Sequence, residues 1–206
     1  MRVELAQIGK KFDRNWIFRN INASFTSPGI YGLVGYNGSG KSTLLQIISG
    51  FVTPSEGAIS FKGGNLAVED VFNHVAFAVP YMELPGEFTI TEAIQLQEKF
   101  KPFRPNWNVN TILKDIDLST HADKTLNQLS SGMRQRLKLA LAICSESSLL
   151  LLDEPCANLD ARWTAWFNER LATESGDRLI IISSNSQEAE LKLVNQTTLN
   201  VSDHHS

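Results

Sequence analysis

The chain has little cysteine, no long apolar run and no surplus of basic charge, and each shortage removes a class of function. Its two cysteines, Cys144 and Cys156, stand far apart in 206 residues, in apolar or motif-rich segments and without metal-ligand spacing. A disulfide-stapled scaffold is therefore excluded, and reduced thiols are expected. No uninterrupted apolar stretch approaches the roughly 20 residues that a membrane-spanning helix requires. Lys and Arg number 19 against 22 Asp and Glu, a formal net charge of −3, so no global basic field draws the chain to nucleic acid or anionic lipid. No local basic patch replaces that field. The opening Met1-Arg2-Val3-Glu4-Leu5 lacks the basic-then-apolar order of a signal peptide, which predicts no leader. Internal repeats and low-complexity segments are also missing. His204 and His205 form too short a tract for a metal site and are expected in a solvated tail.

What is present begins with glycine. Gly35-Tyr36-Asn37-Gly38-Ser39-Gly40-Lys41-Ser42-Thr43 is a complete phosphate-binding loop. Its glycines let the backbone turn N–H groups inward around an anion, Lys41 adds a point charge, and the Ser42 hydroxyl can ligate magnesium. The flanks supply the context this mechanism needs. Ile30-Tyr31-Gly32-Leu33-Val34, launched by the Ser27-Pro28-Gly29 turn, reads as a buried strand. Lys41 to Ser49 carries Leu44, Leu45, Ile47 and Ile48 on a helical face and stops at Gly50. The helix N-terminus then adds its partial positive charge to the phosphate cradle. A nucleoside triphosphate is the implied ligand.

Around the loop the texture changes twice. Val3 to Ile8 alternates weakly and Ile17 to Phe25 more clearly, predicting antiparallel strands. Ala58 to Phe61 and Val75 to Val79 read as further strands. From Thr91 the period becomes helical: Ala93 to Phe100 is one predicted helix, Asn110 to Ile116 another behind the Pro102 and Pro105 breakers, and Gly132 to Cys144 a third. Alternation of strand and helix then resumes with Leu149 to Leu152, a helix over Ala161 to Ala172 and a strand over Arg178 to Ser183. Such apolar strands indicate a sheet covered on both faces.

Two further segments carry chemistry. Leu149 to Leu152 runs into Asp153-Glu154-Pro155, which places two carboxylates at the C-terminal end of an apolar strand, the edge where parallel sheets bind ligands. Asp153 is suited to hold Mg²⁺ and Glu154 to orient or deprotonate an attacking water. Leu129-Ser130-Ser131-Gly132-Met133 opens the third helix of the middle stretch. Its residues alone allow two readings, plain capping by Ser130 or a second anion site built from Ser130, Gly132 and exposed N–H groups.

The ordered set of phosphate loop, Leu129 to Met133, the apolar strand with Asp153-Glu154, and Ala157-Asn158-Leu159-Asp160 resembles the ATP-binding subunit of an ATP-binding cassette (ABC) transporter over almost the whole chain. The resemblance implies an α/β fold: a P-loop NTPase core with an antiparallel β-subdomain and an inserted helical subdomain. It implies a single domain over 1–206, with 1–82 and 147–206 forming core and β-subdomain and 83–146 the helical subdomain. It implies ATP and Mg²⁺ as ligands, with Gly35, Asn37, Gly38, Ser39, Gly40, Lys41, Ser42 and Thr43 on the phosphates, Ser42 and Asp153 on the metal, and Glu154 as base. Ser130, Gly132 and Asp160 would meet ATP held by a second subunit in a head-to-tail homodimer. Phe12 matches the aromatic residue that stacks on adenine, although its position also suits packing. A separate membrane permease would be the other partner, docking at Phe77, Tyr81, Met82 and Leu84. The chain would then be cytoplasmic, held to the inner face of the membrane only through that permease.

Departures from the pattern matter as well. Pro80-Tyr81-Met82-Glu83 stands where the family places a glutamine, Met133 stands where glutamine is commoner, and Asn185 replaces the usual histidine. Asn185 can donate a hydrogen bond but cannot ionise as histidine does. These departures bear on the efficiency of hydrolysis and not on ATP binding; an ATP-binding and ATP-hydrolysing transporter subunit is the leading expectation. Its rivals are an ATP-dependent regulatory module with weak turnover and a non-transport ATPase of the same superfamily.

Overall fold

The computed structural model describes residues 1–62, 68–79, 84–185 and 188–204. In chain order the first half carries strands β1 (Arg2–Phe12), β2 (Asn15–Thr26) and β3 (Gly29–Val34), helix α1 (Lys41–Ile48), and strands β4 (Glu56–Lys62) and β5 (Val75–Ala78). Helices α2 (Ile90–Phe100), α3 (Val109–Asp115) and α4 (Ser131–Cys144) follow, then β6 (Leu149–Asp153), α5 (Ala161–Glu174), β7 (Leu179–Ser184), α6 (Glu188–Leu191) and β8 (Thr198–Asn200).

Strand β1 lies between β2 and β4 in a three-stranded antiparallel sheet. The weak alternation of Val3 to Ile8 has a structural cause. The β1–β2 register shifts between Leu5 and Ile8, where Gln7 takes a φ of 52° and donates its backbone N–H to Asn22 Oδ1 at 2.9 Å. That bulge returns Ile8 to the core side, so the buried set reads Val3, Leu5, Ile8 and the period-2 pattern breaks.

A second sheet is parallel, in the order β5-β6-β7-β3-β8. Its central strands β6, β7 and β3 are buried on both faces, as their continuous apolar runs require. Leu149 and Leu151 point to one layer, with Leu44, Leu45, Ile47 and Ile48 of α1 and the inner face of the antiparallel sheet. Leu150 and Leu152 point to the other, against Leu139, Ala142 and Ile143 of α4 and Phe167 and Leu171 of α5. All four leucines of β6 are fully buried, each stabilising the fold by about 2 kcal/mol.

The middle helices gather a third cluster from Ile90, Ile94, Ile112, Leu113, Leu129, Leu137 and Leu141 among others. Helix α4 divides its faces between this cluster and the sheet. Capping boxes fix the starts of α2 (Thr89 with Glu92) and α3 (Asn108 with Thr111). Strand β8 has no counterpart in the sequence reading, and Arg178 lies just before β7 instead of inside it. Its guanidinium is buried and donates to the carbonyls of Ile143 and Ser145, tying the entry of β7 to the end of α4. Pro80, Tyr81, Met82, Glu83 and His205 lie outside the described residues.

Candidate functional site

The sheet order explains where the site forms. Strands β6, β7 and β3 are adjacent and parallel, with Asp153 opposite Ser183 and Val34 opposite Ser184. The phosphate loop, the Asp153-Glu154 pair and Asn185 therefore leave the sheet at the same C-terminal edge. Sequence separation between them is irrelevant once these strands pair.

In the loop, Gly35, Gly38 and Gly40 have φ values of 150°, 88° and 97°. Gly40 is the most constrained of them: a Cβ there would stand 2.5 Å from Ile17 Cγ2 and 2.6 Å from Phe18 Cδ1, so the loop rests directly on β2. Tyr36, Asn37 and Gly38 form an exposed crest, while Ser39 is fully buried with its hydroxyl unpartnered among the described residues. Tyr36 donates its N–H to Ser202 Oγ at 3.1 Å. An open pocket of about 520 Å³ lies beside this loop, lined by Asn37, Asn185, Asn200 and Ser202 among others. Ser202 sits in a 3₁₀ turn, Val201–His204, and was missed in the sequence because a lone serine near the end of a chain carries no motif.

Lys41 is 5% exposed. Its ammonium donates to Gly35 O at 2.9 Å, Tyr36 O at 3.1 Å and Asn185 Oδ1 at 2.6 Å. Burial pulls its pKa below the ordinary lysine value, opposed by the carboxylates of Glu154, Asp153 and Glu190. The other side of the Asn185 amide donates from Nδ2 to Glu154 Oε1 at 2.6 Å. Lysine offers only donors and a carboxylate only acceptors, and the amide between them supplies one of each. Lys41, Asn185 and Glu154, 144 and 31 residues apart in their pairs, thus form one continuous polar chain.

Asp153 is 2% exposed, and its Oδ1 has no hydrogen-bond partner among the described residues. A buried acceptor left open in this way fits a hard cation, which takes one or two carboxylates and completes its shell with phosphate oxygens and water. Glu154 adopts φ 46°, a left-handed conformation costing about 1–3 kcal/mol for a residue with a side chain. Its N–H donates to Ser183 O at 2.9 Å.

The remaining candidates stand elsewhere. Ser130 caps α4, accepting from Met133 N at 3.2 Å, and Gly132 follows in the first turn, where a Cβ would meet Asn158 O at 3.0 Å. Among the described residues no hydrogen bond joins either to the phosphate loop. Asp160 caps α5 through Trp163 N at 2.9 Å. Phe12 ends β1 with 48% exposure and Lys10 Nζ 5.0 Å from its ring centroid, so about half of the residue's surface stays open. Two buried polar residues near the site escaped the sequence reading. Gln135 is 8% exposed and donates to Pro155 O at 2.9 Å. Glu190 is 1% exposed and accepts from Cys156 N at 2.9 Å and from the Ser184 hydroxyl. Burial raises the Glu190 pKa, and those two hydrogen bonds oppose the shift. Gln135 had a legible signal, since it lies one turn before Leu139 on the helix stripe that faces the sheet. Glu190 had none.

Comparison with known proteins gives a consistent result. A family model described as ABC transporter matches residues 18–157. The ABC transporter ATP-binding protein YybJ of Bacillus subtilis is 30% identical over 189 residues, covering 90% of this chain and 87% of that protein. The sulfate/thiosulfate import ATP-binding protein CysA of Pseudomonas syringae pv. tomato is 34% identical over 211 residues, and the match covers 89% of this chain but 65% of that relative's length. A solved ATP-binding subunit of an ABC transporter superposes with a TM-score of 0.83 at 21% identity, covering 98% of this chain and 87% of that one. A dimeric, post-hydrolysis structure of the cassette MJ0796 bound to ADP and Pi superposes with a TM-score of 0.81 at 22% identity, covering 97% and 95%. At those identities the superpositions speak for the fold.

Proposed function

Because the chain belongs to the ABC transporter family, we propose that it binds ATP, closes on it as a dimer and hydrolyses it to drive a separate membrane permease. The observation that carries this reading is the junction of phosphate loop and carboxylate edge through Lys41, Asn185 and Glu154. Lys41 and the loop N–H groups receive the β- and γ-phosphates, and phosphate oxygens take the place of the Gly35 and Tyr36 carbonyls around the ammonium. Ser42 and Asp153 would hold Mg²⁺, the buried open oxygen of Asp153 being the feature that fits it. A metal ion bound there would supply neutralisation of the charge that develops on the phosphate oxygens. Glu154 takes the proton of the attacking water, and the Asn185 amide keeps its carboxylate turned toward the γ-phosphate side.

Ser130 and Gly132 serve a second copy in this reading. They stand exposed or half-exposed at the start of α4, apart from their own phosphate loop. A head-to-tail partner would bring that helix N-terminus onto the opposite γ-phosphate, with Asp160 at the seam and Phe12 on the adenine. The permease would dock in the cleft of about 1160 Å³ beside edge strand β5, where Phe72, Phe77, Leu84, Phe100 and Lys101 contribute to the lining. Phe72 and Phe100 are 64% and 79% exposed there, apolar surface suited to a partner. Among the described residues no helix is long and apolar enough to cross a membrane. The cargo belongs to the permease.

A regulatory module with weak turnover is the second reading, favoured by Asn185 where an ionisable histidine is usual. Turnover of the parental chain separates them, and one variant tests the base. Glu154→Gln should leave ATP affinity within about twofold and lower steady-state hydrolysis by 10²-fold or more, while trapping an ATP-bound dimer detectable by size. Hydrolysis at the parental rate would overturn the base assignment; a parental chain that binds ATP and dimerises without turnover would establish the regulatory reading.

A further inference from the structure

Two buried polar side chains outside the phosphate site converge on a single peptide unit. The link between Pro155 and Cys156 has its carbonyl oxygen bound by Gln135 Nε2 at 2.9 Å and its N–H bound by Glu190 Oε1 at 2.9 Å. The partners arrive from different elements, Gln135 from α4 behind the Ser130 cap and Glu190 from α6 after β7. The second carboxylate oxygen of Glu190 accepts from the hydroxyl of Ser184, the residue before Asn185. Gln135 is 8% and Glu190 1% exposed. Burying an amide and a carboxylate this deeply is unfavourable unless each is hydrogen-bonded, and both direct their bonds to the same backbone group.

That peptide lies one residue beyond Glu154. A non-glycine residue at φ 46° relaxes unless its surroundings hold it in several ways. Here the Glu154 N–H is fixed on Ser183 O, its carbonyl accepts from Ala157 N at 3.0 Å, and the next peptide is gripped on both polar atoms. We infer that Gln135 and Glu190 are positioning residues that clamp the 155–156 peptide, aim the Glu154 carboxylate at Asn185, and join helix α4 to the Ser184-Asn185 strand end through one backbone group. The clamp passes any displacement of α4 to the base without a side chain of α4 touching it. This inference rests on the reading of Glu154 as the base.

The test uses the full chain with Gln135→Met, which keeps length and removes the donor, Glu190→Leu, Glu190→Gln, and the Gln135→Met/Glu190→Leu double variant. Steady-state kcat and KM are measured beside equilibrium ATP affinity. Gln135→Met and Glu190→Leu are expected to lower kcat by about tenfold or more, with KM and ATP affinity within twofold, because a misaimed base affects the chemical step and not binding. Glu190→Gln, which retains an acceptor for Cys156 N and gains a donor for Ser184 Oγ, restores kcat to within about threefold of the parent. The double variant is expected to be no worse than the poorer single one, since both act on one peptide. If Glu190→Leu does not fold, Gln135→Met and Glu190→Gln decide the matter. The clamp is overturned if Gln135→Met turns over at the parental rate, if the losses fall on KM, if Glu190→Gln is as impaired as Glu190→Leu, or if the losses multiply. Should Glu154→Gln itself hydrolyse ATP at the parental rate, the base assignment falls and takes the clamp with it; an inactive Glu154→Gln beside fully active clamp variants sinks the clamp alone.

Discussion

Asn185 stands between a buried ammonium and a carboxylate, and its chemistry limits what can replace it. Alanine would leave Lys41 and Glu154 without their shared partner, and aspartate would set a second anion against Glu154. A neutral imidazole has one donor and one acceptor, enough for the two contacts that the amide makes here, and it can also take up a proton. Asn185→His is therefore expected to keep the Lys41 and Glu154 contacts and raise kcat by about tenfold, the scale at which a positioned ionisable group assists proton movement. Steady-state ATPase assays of both chains across pH check this; equal rates would show that the step limited by residue 185 lies outside chemistry. Glu154 and Lys41 were legible in the sequence because the spacing of their motifs is specific. The bond geometry that links them was not, since it depends on strands drawn together from remote segments.

At the scale of elements, legibility followed the strength of the periodic signal. Helix α4 was readable from Leu137, Leu139, Ala140, Leu141 and Ile143, and β6 from four consecutive leucines. Strand β8 has three residues with Leu199 as its single apolar member, so it forms only because β3 offers an edge. The bulge at Gln7 hid part of β1 by breaking its alternation. Helix α5 owes its start to the Asp160 carboxylate bound to Trp163 N. Asp160→Ala should destabilise the chain by about 1 kcal/mol in urea titration, as loss of a helix cap does. If Asp160 also serves a dimer seam, the same variant will weaken ATP-dependent dimerisation of Glu154→Gln beyond that small loss; a chain altered only in stability would confine Asp160 to capping.

Across the whole molecule the three apolar clusters also decide the reactivity of the thiols. Cys144 is 1% and Cys156 7% exposed, and both contribute to cluster packing. Burial pushes both thiol pKa values up, that of Cys156 to about 12. Neither thiolate is populated at neutral pH, so neither is a nucleophile in the folded chain. An aromatic disulfide reagent at pH 8 should find no thiol in the native protein and two after denaturation; prompt reaction of a native thiol would place it at the surface.

The position of β3 in the parallel sheet has a further consequence, for the order in which the protein matures. The strand that carries the phosphate loop is flanked by β7 and β8, and its residues pair with Leu179 to Ser184 and Thr198 to Asn200. As the chain emerges from a ribosome, β3 precedes both of its neighbours and finds neither until the segments Leu179 to Ser184 and Thr198 to Asn200 have been made. Contacts this distant in sequence form slowly. The segment most recognisable in the sequence thus gains its shape only after β7 and β8 have been made, and a growing chain has no complete nucleotide site to fill before then.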